Sequence, residues 1–143
     1  MAPTTVLVVS RRFNTAPACV FDAWLDAESV PQWLFATPGG VMEKIEINPR
    51  VGGGFVIAER RGELLATHFG TYLEIDRPRQ LVFTFGVDPD SPPTRVTVEI
   101  VARGAGAELT LTHEGVWAEY AEQTRAGWTM ILGNLAQVLG ETL

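Results

Sequence analysis

The chain has 143 residues, 46% of them hydrophobic and 20% charged, and eleven Lys and Arg against seventeen Asp and Glu give a net charge of -6. That length suits one domain over residues 1–143, able to bury roughly 70% of the unfolded surface, and the composition excludes wholesale disorder. Scattered basic residues in an acidic chain speak against nucleic-acid and membrane partners, while one cysteine and two histidines exclude an intrachain disulfide and leave too few soft ligands for structural zinc.

No basic stretch followed by an apolar one opens the chain, and no apolar run nears about 18 residues, so a cytoplasmic address is expected. Val6 to Phe13, β-branched and apolar in its first half, reads as a strand. Asn14 and Thr15 then offer capping oxygens and Pro17 suits a first helical turn, with Val20, Phe21, Trp24 and Leu25 at helical spacing. Asp26 ends this helix and caps a brief second one, Ser29 to Leu34, which tolerates Pro31 near its start.

From Val41 the period changes to that of strands: Val41 to Ile47, Gly54 to Glu59, Leu64 to Ile75, Gln80 to Phe85, Thr94 to Ala102 and Ala107 to His113. Turn chemistry separates them at Asn48-Pro49, Arg61-Gly62, Asp76 to Pro78, Asp88 to Pro93 and Gly104 to Gly106, and connections this short favour antiparallel neighbours. Helical spacing returns from Trp117 to Leu143, through Trp117, Tyr120, Trp128, Ile131, Leu132 and Leu135, predicting a helix of about 35 Å that crosses a sheet face. The predicted class is α+β: about seven strands in the order β-α-α-β6-α, curved around the last helix.

This order, with Phe13-Asn14-Thr15-Ala16-Pro17 leading to Val20-Phe21-Asp22-Ala23-Trp24, resembles the helix-grip fold of the START-like superfamily, which includes birch-pollen-allergen proteins, polyketide cyclases and lipid-transfer domains. Trp33, Gly52-Gly53-Gly54-Phe55, Gly70 to Ile75 followed by Arg77-Pro78, Leu81 to Thr84, Leu109 to His113, and Gly127-Trp128 carry the likeness along nearly the whole chain. Within the superfamily the chain is most similar to small bacterial proteins related to the C-terminal domain of the activator of the 90-kDa heat-shock protein's ATPase. The resemblance implies a cavity for small apolar molecules and no particular reaction. Two departures bear on pocket shape: the loop Asp88 to Pro93 replaces an acidic or aromatic stretch, and Trp33 is followed by Leu34 where many members pair tryptophans.

Rigid rings packed between a sheet and a helix either close into a dry core or leave space that they cannot all fill. Trp33, Phe35, Phe55, Phe83, Phe85 and Trp128 are therefore candidate cavity residues, as are Val98 and Leu132 beside them. His113 follows Leu109 and Leu111 at period two, so it points inward, where an imidazole can orient a carbonyl or act as a base, or simply hydrogen-bond to backbone. His68 and Tyr72 share one strand face with Gly70, and a bulge there would turn them to solvent. Of the strand carboxylates, alternation turns Glu99 outward and leaves Glu74 open. Arg50 to Gly54 lacks the Lys-Ser or Lys-Thr and the following helix of a phosphate loop and reads as a hairpin turn. Cys19, beside Val20 and Phe21, reads as packing.

These residues predict a domain that binds a small apolar or amphipathic molecule, with no catalytic residue, cofactor or metal. Two other classes stay open. One is a cyclase- or dehydratase-like enzyme in which His113, His68 or Tyr72 moves a proton; the other is a protein-interaction module such as a chaperone regulator. A homodimer through an exposed edge strand is compatible with all three.

Overall fold

Alternating strands and one amphipathic helix give the architecture directly. The computed structural model describes residues 3–141. Strand β1 (Thr4–Phe13) leads to two short helices, α1 (Pro17–Ala23) and α2 (Val30–Trp33). Six strands follow: β2 (Val41–Ile47), β3 (Gly54–Arg61), β4 (Leu64–Asp76), β5 (Gln80–Phe85), β6 (Thr94–Arg103) and β7 (Gly106–Trp117). A single 3-10 turn, Ala118–Tyr120, precedes helix α3 (Ala121–Val138). All neighbours pair antiparallel in one seven-stranded sheet ordered β1-β7-β6-β5-β4-β3-β2.

The sheet curves because its ladder is interrupted at chosen points. Register shifts fall between Thr5 and Val6, between Met42 and Lys44, and between Tyr72 and Glu74, and each such bulge bends its strand. At Gly70 a Cβ would overlap the Thr84 carbonyl and the Phe55 ring, so only glycine lets β4 fold across its neighbours. The resulting trough holds α3, whose Trp128, Ile131, Leu132, Leu135 and Ala136 are buried.

The last strand and the last helix divide differently from the sequence reading. Spacing assigns Trp117 and Tyr120 to the helix, yet Trp117 ends β7 and Tyr120 lies in the 3-10 turn. Strand β1 begins at Thr4 and adds two rungs, Thr4 with Trp117 and Thr5 with Val116, while Gly115 is the extra bulge residue at φ 85. Helix α3 is consequently shorter, 18 residues or about 27 Å. It stops in a Schellman motif: Gly140, at φ 78, donates its N–H to the Gln137 carbonyl and Glu141 donates to that of Ala136. The residues beyond 141, which the sequence spacing includes in the helix, lie outside the described ones.

Two local expectations are also corrected. Ala16 is the N-cap of α1 and no side chain caps it; the Thr15 hydroxyl donates instead to Glu141 Oε2 at 2.7 Å, tying the start of α1 to the end of α3. Cys19 is exposed, because Val20, Phe21 and Ala23 take the buried face of α1.

The trough has two unlike halves. Beneath α1 and α2 it is packed solid, with Trp24 and Trp33 edge to face at 4.8 Å and Phe21 and Leu81 fully buried. A residual void there, against Trp24, Phe55, Tyr72 and Phe83, measures about 10 Å³, no more than one water molecule. The other half, under the first turns of α3, is open. Both sheet edges are guarded against pairing: Arg125 donates to the Val8 carbonyl on β1 at 2.8 Å, and β2 carries Glu43, Lys44 and Glu46.

Candidate functional site

The open half of the trough is a cavity of about 840 Å³, bounded by the start of α3, the end of β7 and the loop joining β5 to β6. Its apolar walls include Phe35, Phe85, Trp128 and Ile131, and Gly127 on α3 adds no side chain. The rim carries Trp117 and Tyr120, stacked at 6.2 Å, together with Asp88, Arg95 and Glu114. A second hollow, of about 980 Å³, shares Ser91 and Pro93 of the β5–β6 loop and reaches Glu46, Thr71 and Thr84.

His113 is brought to the wall by strand alternation, since Leu109 and Leu111 before it are wholly buried and it is itself 3% exposed. Its two nitrogens are both engaged. The Trp128 indole N–H donates to Nδ1 at 3.0 Å, which leaves the ring proton on Nε2. Nε2–H then donates to Thr94 Oγ1 at 2.7 Å, and the Thr94 hydroxyl donates to the Phe85 carbonyl at 3.0 Å. Four groups from β5, β6, β7 and α3 thus form one directed chain with every donor used. Burial pushes the His113 pKa down to about 4, so the imidazole is neutral near pH 7.

His68, on β4, lies flat against Phe35, with ring centroids 4.1 Å apart and planes 6° from parallel. Burial is the main cause that takes its pKa to about 4, the Arg61 guanidinium lowers it further, and Glu59 opposes both. Phe35 is held at φ 59, a left-handed conformation that costs a bulky residue on the order of 1–3 kcal/mol. What holds it there is Glu59 on β3, 2% exposed. Its carboxylate accepts from the Thr37 N–H at 2.9 Å, the Thr37 hydroxyl at 2.7 Å and Arg61 Nε at 2.6 Å, and Arg61 also donates to the Phe35 carbonyl at 3.0 Å. Desolvation raises the Glu59 pKa, and these donors outweigh it, leaving the carboxyl below its usual range. Gly40 closes the clamp, since a Cβ there would collide with the Glu59 carboxylate.

Of the sequence candidates, Phe35, His68, Phe85, His113 and Trp128 line the cavity. Phe55, Tyr72 and Phe83 surround the small void of the packed half, where burial raises the Tyr72 phenol pKa well above its usual value. Trp33, Val98 and Leu132 sit in the dry core at 1% exposure or less. Glu74 and Glu99 are both exposed, and neither lines the cavity. Sequence reasoning passed over Thr94, Glu59, Thr37 and Arg61, whose roles depend on partners in other elements.

A long helix gripped by a curved seven-stranded sheet, with a ligand-sized hollow beside the helix, defines a START-like helix-grip domain. Within that class, the chain belongs to the family described as activator of Hsp90 ATPase homolog 1-like protein, whose pattern matches residues 14–140. Solved structures share the fold at low identity. A protein from Chromobacterium violaceum is 24% identical with a TM-score of 0.84, over 93% of this chain and 95% of its own. A protein of unknown function from Staphylococcus aureus is 15% identical with a TM-score of 0.89, over 97% and 95%. A relative from Aeromonas hydrophila, solved by NMR, is 20% identical with a TM-score of 0.83, over 95% and 92%. No curated protein matches the chain.

Proposed function

We propose that this protein binds a small apolar or amphipathic molecule in the cavity beside α3 and performs no chemistry on it. The observation that carries the reading is the cavity itself, about 840 Å³ with Phe35, Phe85, Trp128 and Ile131 on its walls. Small-molecule sites of about 300–1,000 Å³ combine such walls with a few placed polar groups. The histidines support holding over turnover. His113 has no free nitrogen, and an imidazole with a pKa of about 4 is a weak base at neutral pH. The same reading takes residues 1–143 as one binding unit in the cytoplasm; among the described residues no helix is long and apolar enough to cross a membrane.

Native mass spectrometry of protein purified from its source, compared with the same sample unfolded, tests this. A stoichiometric small molecule released on unfolding is the expected result. A clean unliganded mass, with no thermal shift across an apolar ligand panel, overturns it and favours an interaction module of the chaperone-regulating kind that the family description suggests. Catalysis would show as turnover of the released compound that falls about a hundredfold in His113→Ala.

A further inference from the structure

The polar groups deep in the cavity differ in one respect. His113, Thr94 and Trp128 spend their hydrogen bonds on one another and on the Phe85 carbonyl. The His68 ring makes no hydrogen bond with any described residue, and its Nδ1 is buried without a partner. The ring lines the cavity, so Nε2 is the nitrogen with access to it. A neutral imidazole carries one proton, and a buried N–H without an acceptor is a rarer and costlier orphan than a buried lone pair. The proton therefore belongs on Nε2, facing the cavity.

Phe35 stacks on one face of this ring, and Phe85 lies 5.7 Å from it. The N–H is thus a single fixed donor set among aromatic walls. An acceptor oxygen meets it at no cost in reorganisation, whereas a ligand without one leaves the donor unpaired. Charge on that oxygen is disfavoured: a neutral ring does not compensate a buried carboxylate, and the rim sets two carboxylates, Asp88 and Glu114, against the one guanidinium of Arg95, which already lies 4.0 Å from Glu114.

We infer that His68 is the polar anchor of the cavity, its Nε2–H donating to an uncharged ketone, ester or ether oxygen of a ligand whose apolar body lies against Phe35, Phe85 and Trp128. This rests on the binding function proposed above and names the ligand chemistry that the site selects.

The test uses 2-acetylnaphthalene and 2-ethylnaphthalene, close in size and differing by the carbonyl, with 2-naphthoate as the charged counterpart. The protein is expected to bind the ketone about tenfold more tightly than the hydrocarbon, and naphthoate more weakly than the ketone. His68→Phe keeps a ring against Phe35 and removes the donor, so the ketone loses its advantage and, with its oxygen buried unpaired, binds no more tightly than the hydrocarbon. Ring-nitrogen NMR of the unsubstituted protein supplies a readout independent of that variant: Nε2 should carry the proton, and its resonance should move when the ketone binds. Equal binding of ketone and hydrocarbon, a preference that survives in His68→Phe, tighter binding of naphthoate, or a proton on Nδ1 overturns the role of His68 and leaves the binding function standing. Binding of none of the three probes counts against the binding function and the anchor with it.

Discussion

His113 receives a proton donor on one nitrogen and gives its own proton from the other, so a second proton can enter the ring only by ejecting the Trp128 indole. Trp128→Phe removes that donor and leaves a buried acceptor unpaired, which should cost about 1–3 kcal/mol in a urea melt. It should also raise the His113 pKa from about 4 toward the ordinary value of about 6.5, a movement that NMR titration would follow. In the protein itself His113, which is buried, and His68, which is half-buried, both have pKa values of about 4. Between there and about 6.5 the unfolded chain takes up protons that the folded chain refuses. Stability is therefore complete above about pH 6.5 and declines as pH falls toward 4, by at most about 1.4 kcal/mol per pH unit for each histidine. Urea midpoints that stay level between roughly pH 7 and pH 5 would contradict this burial.

At the level of elements, the loop after α2 is positioned by a carboxylate on β3 rather than by its own sequence. Gly40→Ala drives a methyl into that carboxylate, and the expected loss is about 1–3 kcal/mol, with the Phe35–His68 stack disturbed in ring-proton NMR shifts. This clamp was invisible in the sequence because, although Glu59 and Arg61 stand two apart on β3, an acid and a base at that spacing read as a solvated pair, and their other partners, Thr37 and the Phe35 carbonyl, come from a distant loop. Strands were legible where one face is buried: Leu109, Leu111 and His113 alternate inward as period two requires. The boundary between β7 and α3 was not, since Trp117, Tyr120 and Trp128 mimic a helical stripe while the ladder to β1 claims Trp117. Half of the candidate site followed the same division. His113 and Phe85 were readable by alternation, but aromatic content alone cannot say which rings of one trough pack against each other and which face a space.

Taken as a whole, the molecule fills one end of its trough with side chains and leaves the other end open under α3. Gly127 belongs to that arrangement: a Cβ there meets nothing within 4 Å, and the residue borders the cavity. Gly127→Leu should strengthen α3 by up to about 1 kcal/mol through helix propensity and raise the melting temperature. The same side chain occupies the cavity, so affinity for a bound hydrocarbon such as 2-ethylnaphthalene should drop, measured by calorimetry on both proteins. Stability gained together with binding lost is what a functional hollow predicts; an unchanged affinity would mean that the ligand sits elsewhere.

The hydrogen bond from Trp128 to His113 also makes the cavity optically accountable. Of the four tryptophans, Trp24 and Trp33 are sealed in the packed half and Trp117 is 51% exposed, leaving Trp128 as the one indole both buried and in contact with the cavity wall. A guest that displaces water from its face, or an acid pulse that protonates its partner, changes the emission of that buried indole, with Trp117 on the rim as a solvent-exposed background. Trp128→Phe supplies the blank, so occupancy can be followed in real time with unlabelled protein.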